Sequence, residues 1–95
     1  MNAHLVALRD DGFTVKDSAQ VLNISSSGLA LLTALQIQVG ETVTAYVDWP
    51  VRREDGCSVL LKTLGRVVRR DSDRTIAASI VSYEFCTTGL EDRSA

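Results

Sequence analysis

The sequence predicts an all-β fold: one small antiparallel barrel or sandwich of about six strands. Three observations carry that prediction. First, residues 42–49 alternate without a break, Val43, Ala45, Val47 and Trp49 against Thr42, Thr44, Tyr46 and Asp48. Period-two patterning over residues rich in β-branched and aromatic types describes a half-buried strand. Second, turn signals recur at Asp10-Asp11-Gly12, Ser25–Gly28, Gly40-Glu41, Val51–Gly56 and Asp71-Ser72-Asp73, the rhythm of short strands joined by tight turns. Third, helical patterning is missing. The stretch from Thr33 to Gly40 has room for one helical turn or a loop, but its Leu35, Ile37 and Val39 alternate instead of forming a helical stripe.

In chain order, His4–Arg9 is a short apolar strand. It closes on Asp-Gly, a strong hairpin signal between extended runs. Phe13–Leu22 is the returning strand, with Phe13, Val15 and Val21 as core candidates and Asp17-Ser18-Ala19 as the place for a bulge or bend. A polar corner follows, then a third strand over Leu29–Thr33. The fourth strand is the alternating run, ended or edged by Pro50, which cannot donate to a ladder. Its periodicity puts Trp49 on the core face with Val43, Ala45 and Val47, as a plug for one end. Cys57–Arg70 is too long for one flat strand of ordinary length, and Gly65 in its middle permits a kink or bulge. Arg74–Phe85 is the last long run. Its Ala77, Ala78 and Ser79 suit a crowded approach between strands. The domain is expected over residues 4–86, with a frayed polar tail over 87–95.

The 95 residues are 45% hydrophobic and 23% charged, the balance of a globular domain with no disordered tract. A net charge of −2 and an aromatic content of 5% argue against a nucleic-acid binder, which needs a basic groove and stacking rings. No apolar run is long enough for a membrane-spanning helix and no signal peptide is recognisable, so the cytoplasm is the default compartment. Cys57 and Cys86 lie far apart in sequence without zinc-ligand spacing and read as free thiols.

Catalytic chemistry finds little support. His4 is the single histidine. The serines lack a G-x-S-x-G elbow, and the carboxylates sit in turns, where they are ordinarily solvated or cap the local backbone. No phosphate-binding glycine loop of the Walker or Rossmann type is present. The chain therefore reads as a binding module, not an enzyme, with no metal and no cofactor. Two arginine pairs, Arg52-Arg53 and Arg69-Arg70, are each followed closely by acidic residues that neutralise them locally. Arg66, Arg69 and Arg70 on a barrel wall could alternatively meet a phosphate or a guanine, because the planar guanidinium fork suits both.

The polar corner is the most informative stretch. In Val21-Leu22-Asn23-Ile24-Ser25-Ser26-Ser27-Gly28-Leu29-Ala30-Leu31-Leu32, two apolar runs flank Asn, Ser and Gly. Such residues favour a turn over a helix, and Gly28 is free to take a positive φ. Backbone N–H groups and polar side chains converging at such a corner can form an anion-binding concavity, although a plain β-turn accounts for the same composition. Asn23-x-Ser25-x-x-Gly28 resembles the (D/N)xSxxG motif of PilZ domains, bacterial modules that bind cyclic di-GMP. Val47-Asp48-Trp49-Pro50, Gly65-Arg66-Val67-Val68-Arg69 and Tyr83-Glu84-Phe85 follow in an order and spacing similar to one branch of that family, so the resemblance covers roughly residues 4–86.

The resemblance implies a six-stranded antiparallel barrel, a place in cyclic di-GMP signalling and a surface site at Asn23, Ser25 and Gly28. Asn23 would be the polar contact to a guanine, Ser25 the hydroxyl contact and Gly28 the backbone corner. The chain departs from the family at its second signature, an RxxxR pair that clamps the phosphates from a segment before the corner. Upstream of Asn23 there is only Arg9, with no partner four residues away. Each lost charge-assisted bond costs about 1.5–3 kcal/mol. Losing several moves a micromolar ligand toward the millimolar range, at about 1.4 kcal/mol per tenfold. The expectation is a module that binds cyclic di-GMP weakly or not at all and acts with a protein partner. Two alternatives remain open. One is a full receptor whose arginines come from Arg9, Arg52-Arg53, a second subunit or an upstream start codon. The other is an interaction module independent of the nucleotide.

Overall fold

The computed structural model describes residues 1–9, 11–52, 56 and 58–87. Six strands follow one another: β1 (Asn2–Leu8), β2 (Thr14–Ile24), β3 (Gly28–Thr33), β4 (Thr42–Arg52), β5 (Ser58–Arg70) and β6 (Thr75–Thr87). They close into an antiparallel barrel in the order β1-β2-β3-β6-β5-β4. Closure leaves most strands paired on both sides, which removes exposed edges. Along each strand the side chains alternate between the interior and the outer wall. Leu5, Leu31, Val43, Val47, Val67 and Ile76 are fully buried and fill the core. The expected alternation of β4 holds, and Trp49 packs against this core and meets the Phe85 ring edge-on at 5.4 Å. Pro50 lies within β4 at the irregularity between Trp49 and Arg52, where β4 has run past its pairing with β1. A bulge on an edge is where a residue without an N–H is tolerated.

Some expectations are corrected. Phe13 was a core candidate, yet it is 72% exposed. It precedes β2 at the hairpin turn, where Arg9 N–H donates to the Phe13 carbonyl and Gly12 N–H to the Arg9 carbonyl. Gly12 takes the positive φ this turn requires. Asp17-Ser18-Ala19 carries no bulge, because β1 and β2 pair in unbroken register from Asn2↔Gln20 to Leu8↔Thr14. The bulge of β2 comes later, between Val21 and Asn23. Residues 34–41 form a loop without a helix.

Gly65 behaves as its position in a long strand suggests. The β5–β6 register shifts between Leu64 and Gly65, and a Cβ at Gly65 would stand 2.7 Å from the Ser79 carbonyl oxygen. The close approach expected near Ala77–Ser79 is thus made on the inner side, by Ala78 and the Ser79 backbone against Gly65. Cys86 is a half-buried free thiol, whereas residues 53–55, Cys57 and residues 88–95 lie outside the described residues. Among the described residues no helix is long and apolar enough to cross a membrane.

The 34–41 loop caps one end of the barrel. Its Ile37 is completely buried. Two arginines hold the loop down. Arg9 donates to the Gln36 carbonyl at 2.6 Å and to Glu41 Oε1 at 2.9 Å. Arg70 donates to the Ile37 carbonyl, to Gln36 Oε1 and to the Asp73 carbonyl, all within 2.9 Å. Loop backbone is costly to bury unpaired, and these guanidinium groups satisfy the carbonyls that a strand ladder would otherwise pair.

Candidate functional site

The polar corner joins β2 to β3 and is braced by Ser25. Ser25 N–H donates to the Gly28 carbonyl at 2.9 Å, and the Ser25 hydroxyl accepts from Gly28 N–H at 3.2 Å and from Ser27 N–H at 3.4 Å. The hydroxyl is therefore the internal tie of the turn, a role that Ser and Thr side chains commonly take. Ile80 N–H donates to the Ser27 carbonyl at 2.9 Å and fastens the corner to β6. Gly28 does not take the positive φ expected of it; among the described residues that conformation belongs to Gly12, Gly40 and Gly56. A Cβ at Gly28 would find its nearest neighbour, the Ala78 carbonyl oxygen, at 3.7 Å. The residue needs no special backbone conformation, and its missing side chain leaves open space on the outer wall.

That space is one end of a shallow trough of about 310 Å³ lined by Asn23, Ser25, Gly28, Ala30, Arg69 and Ala77, among others. Strand register explains its shape. Asn23 pairs with Ala30, Ala30 with Ala77, and Ala77 with Arg69. These residues form one row across β2, β3, β6 and β5. Three inter-strand steps of about 4.8 Å put the two ends of the row roughly 14 Å apart. The two alanines make the floor low, and the long polar side chains at either end make the walls.

Both walls depend on a β-bulge. In β2 the pairing passes from Val21↔Leu31 to Asn23↔Ala30, so Leu22 is the additional residue. In β5 it passes from Val67↔Ala78 to Arg69↔Ala77, so Val68 is the additional residue. Because side chains alternate, a one-residue slip reverses the face of everything beyond it. Without the bulges, Leu22 and Val68 would stand in the row, and Asn23 and Arg69 would point toward the core. Bulges re-aim side chains in this way beside functional sites.

The charged and polar groups of the trough differ in their commitments. Asn23 is exposed and its side-chain amide has no hydrogen-bond partner among the described residues. The Arg69 side chain is 65% exposed and its Nε and one terminal nitrogen donate to the two carboxylate oxygens of Asp71. The Asp71 hydrogen bond first, and its charge second, push the Arg69 guanidinium above its ordinary pKa.

Of the three arginines grouped by the sequence reading, the structure brings only Arg69 into the trough. Arg70 holds the 34–41 loop, as does Arg9, so neither is a free clamp. Arg66 is exposed but does not line the trough. Arg53 lies outside the described residues. No group of three or more His, Cys, Asp or Glu side chains suited to a metal occurs among the described residues.

Residues 4–95 match the family model described as PilZ domain. The chain belongs to the PilZ domain family. No curated protein and no solved structure matches it. Membership makes this barrel a binding and signalling domain of the cyclic di-GMP pathway, with the dinucleotide as the ligand of the family and not a cofactor. The Asn23-x-Ser25-x-x-Gly28 motif stands where the trough begins. Of the other wall, the sequence offered Arg69 only as one of the group Arg66, Arg69 and Arg70, without showing which of them shares a row with Asn23. The floor was not legible: Ala77 stood in the sequence as a small residue for a crowded approach.

Proposed function

We propose that this PilZ domain binds cyclic di-GMP at the outer trough, weakly for the chain as it stands, and transmits the signal through a protein partner. The observation that carries the reading is the row from Asn23 to Arg69, which begins at the family's motif. In it Asn23 offers an acceptor and two donors to a guanine edge. Ser25 contributes by holding the corner that presents the backbone, and Gly28 by leaving the floor clear. Weakness follows from charge. The ligand is a dianion, the protein has a net charge of −2, and Arg9, the sole arginine before the motif, is engaged with Gln36 and Glu41. General electrostatic attraction is thus small.

Isothermal titration of the wild-type chain and of Asn23→Ala with cyclic di-GMP tests this. The expected result is a dissociation constant far above micromolar, weakened further by the substitution. Sub-micromolar binding abolished by Asn23→Ala would instead identify a full receptor. Binding absent at millimolar ligand would favour the partner-only module, since the barrel would then serve solely as an interaction surface.

A further inference from the structure

We propose that Arg69 is the phosphate-contacting cation of the trough, and that in the free protein Asp71 holds it in a parked position. This rests on the trough being the cyclic di-GMP site. It adds a residue outside the Asn23-x-Ser25-x-x-Gly28 motif and on a different strand.

Four observations converge on Arg69. Among the described residues it is the sole cation lining the trough, and no described carboxylate lines it. A β-bulge, with Val68 as the additional residue, sets it beside Ala77 on the outer wall; an uninterrupted strand would have put Val68 there. It faces Asn23 across the two-alanine floor at a separation that a nucleotide can span, with the base at one wall and the phosphate at the other. Its present partner is local and exposed: Asp71 lies two residues away, with 40% of its side chain exposed. Exposed ion pairs contribute little, so a phosphate can replace the carboxylate at small cost. The exchange also suits the fork, which already donates to both oxygens of a carboxylate and can donate to two oxygens of a phosphate.

The neighbouring arginines mark the contrast. Arg70 and Arg9 donate to loop carbonyls that have no other donor among the described residues, so moving either would uncover the barrel end. Releasing Arg69 from Asp71 uncovers nothing.

Equilibrium dialysis with labelled cyclic di-GMP, at about 50 and 200 mM salt, separates this inference from the reading beneath it. The variants are Asn23→Ala, Arg69→Gln, Arg69→Lys and Asp71→Asn, each checked for an unchanged melting curve. Arg69→Gln is expected to weaken binding by about ten- to a hundredfold and to flatten the salt dependence. Arg69→Lys should keep the salt dependence while recovering only part of the affinity. Asp71→Asn should tighten binding by up to about fivefold. If Asn23→Ala weakens binding while Arg69→Gln leaves affinity and salt dependence unchanged, the site stands and the role of Arg69 is overturned. If neither substitution matters, or the wild-type chain does not bind at millimolar ligand, the site reading fails and this inference fails with it.

Discussion

Adjacent arginines at the end of β5 belong to two regions that treat polar groups in opposite ways. Arg70 turns into the capped end of the barrel, where three acceptors on the 34–41 loop and the β5–β6 turn take its N–H groups. Arg69 lies on the outer wall, paired only with a solvent-exposed neighbour. At the capped end the arginine N–H groups meet acceptors of the protein, and the arrangement closes over a fully buried Ile37. In the trough Asn23 and Arg69 look across a low alanine floor at open space. The contrast separates arginines that hold the fold from one available to a ligand, although residue type, strand and position in sequence are nearly the same.

Substitutions at the two regions should differ in kind. The largest effect on stability is expected at Ile37. Ile37→Ala leaves a cavity beneath the loop and should cost about 2–5 kcal/mol, read as a lowered midpoint in urea denaturation. Arg70→Gln comes next, because it removes charge-assisted bonds to carbonyls at the barrel end, each worth about 1.5–3 kcal/mol. Arg69→Gln, one residue earlier, should leave the denaturation midpoint nearly unchanged, since it removes only an exposed pair. Equal losses at Arg69 and Arg70 would erase the distinction drawn here.

Two glycines repeat the contrast on a smaller scale. At Gly65 a methyl group would sit 2.7 Å from the Ser79 carbonyl oxygen, a backbone atom that cannot swing away. Gly65→Ala should therefore cost about 1–3 kcal/mol through forced backbone shifts. At Gly28 the same methyl group meets nothing closer than 3.7 Å, and no positive φ is at stake. Gly28→Ala should leave the melting temperature nearly unchanged and act only on ligand binding, by narrowing the trough. A large fall in melting temperature for Gly28→Ala would mean that the corner depends on glycine for folding after all.

Much of the barrel was legible because alternation is a local property. Residues 42–49 announce a strand in their own order, and Asp11-Gly12 announces the turn that Gly12's positive φ completes. The corner was legible for the same reason, since its residues are contiguous. What could not be read was register. Bulges at Leu22 and Val68 depend on how four strands meet, and nothing in the composition of either strand marks the residue that will be left without an opposite number. Ala77 shows the consequence. In sequence it belongs with Ala78 as a small residue in a tight place, yet the two point to opposite faces, one into the core and one onto the trough floor. Phe13 failed for a related reason: its apolar character suggested burial, but it falls before β2 begins, at a turn open to solvent.

A second, more apolar hollow on the barrel is lined by Trp49, Leu61, Tyr83 and Phe85. The central claim is that the outer trough, and not the capped end or this hollow, receives the dinucleotide. Mapping backbone amide chemical shifts of the ¹⁵N-labelled chain during titration with millimolar cyclic di-GMP tests it most directly. The account predicts that shifts concentrate at Asn23, Ser25, Gly28, Ala30, Arg69 and Ala77, with residues 34–41 undisturbed. Shifts centred on the 34–41 loop or on Trp49, Tyr83 and Phe85, with the trough silent, would contradict it.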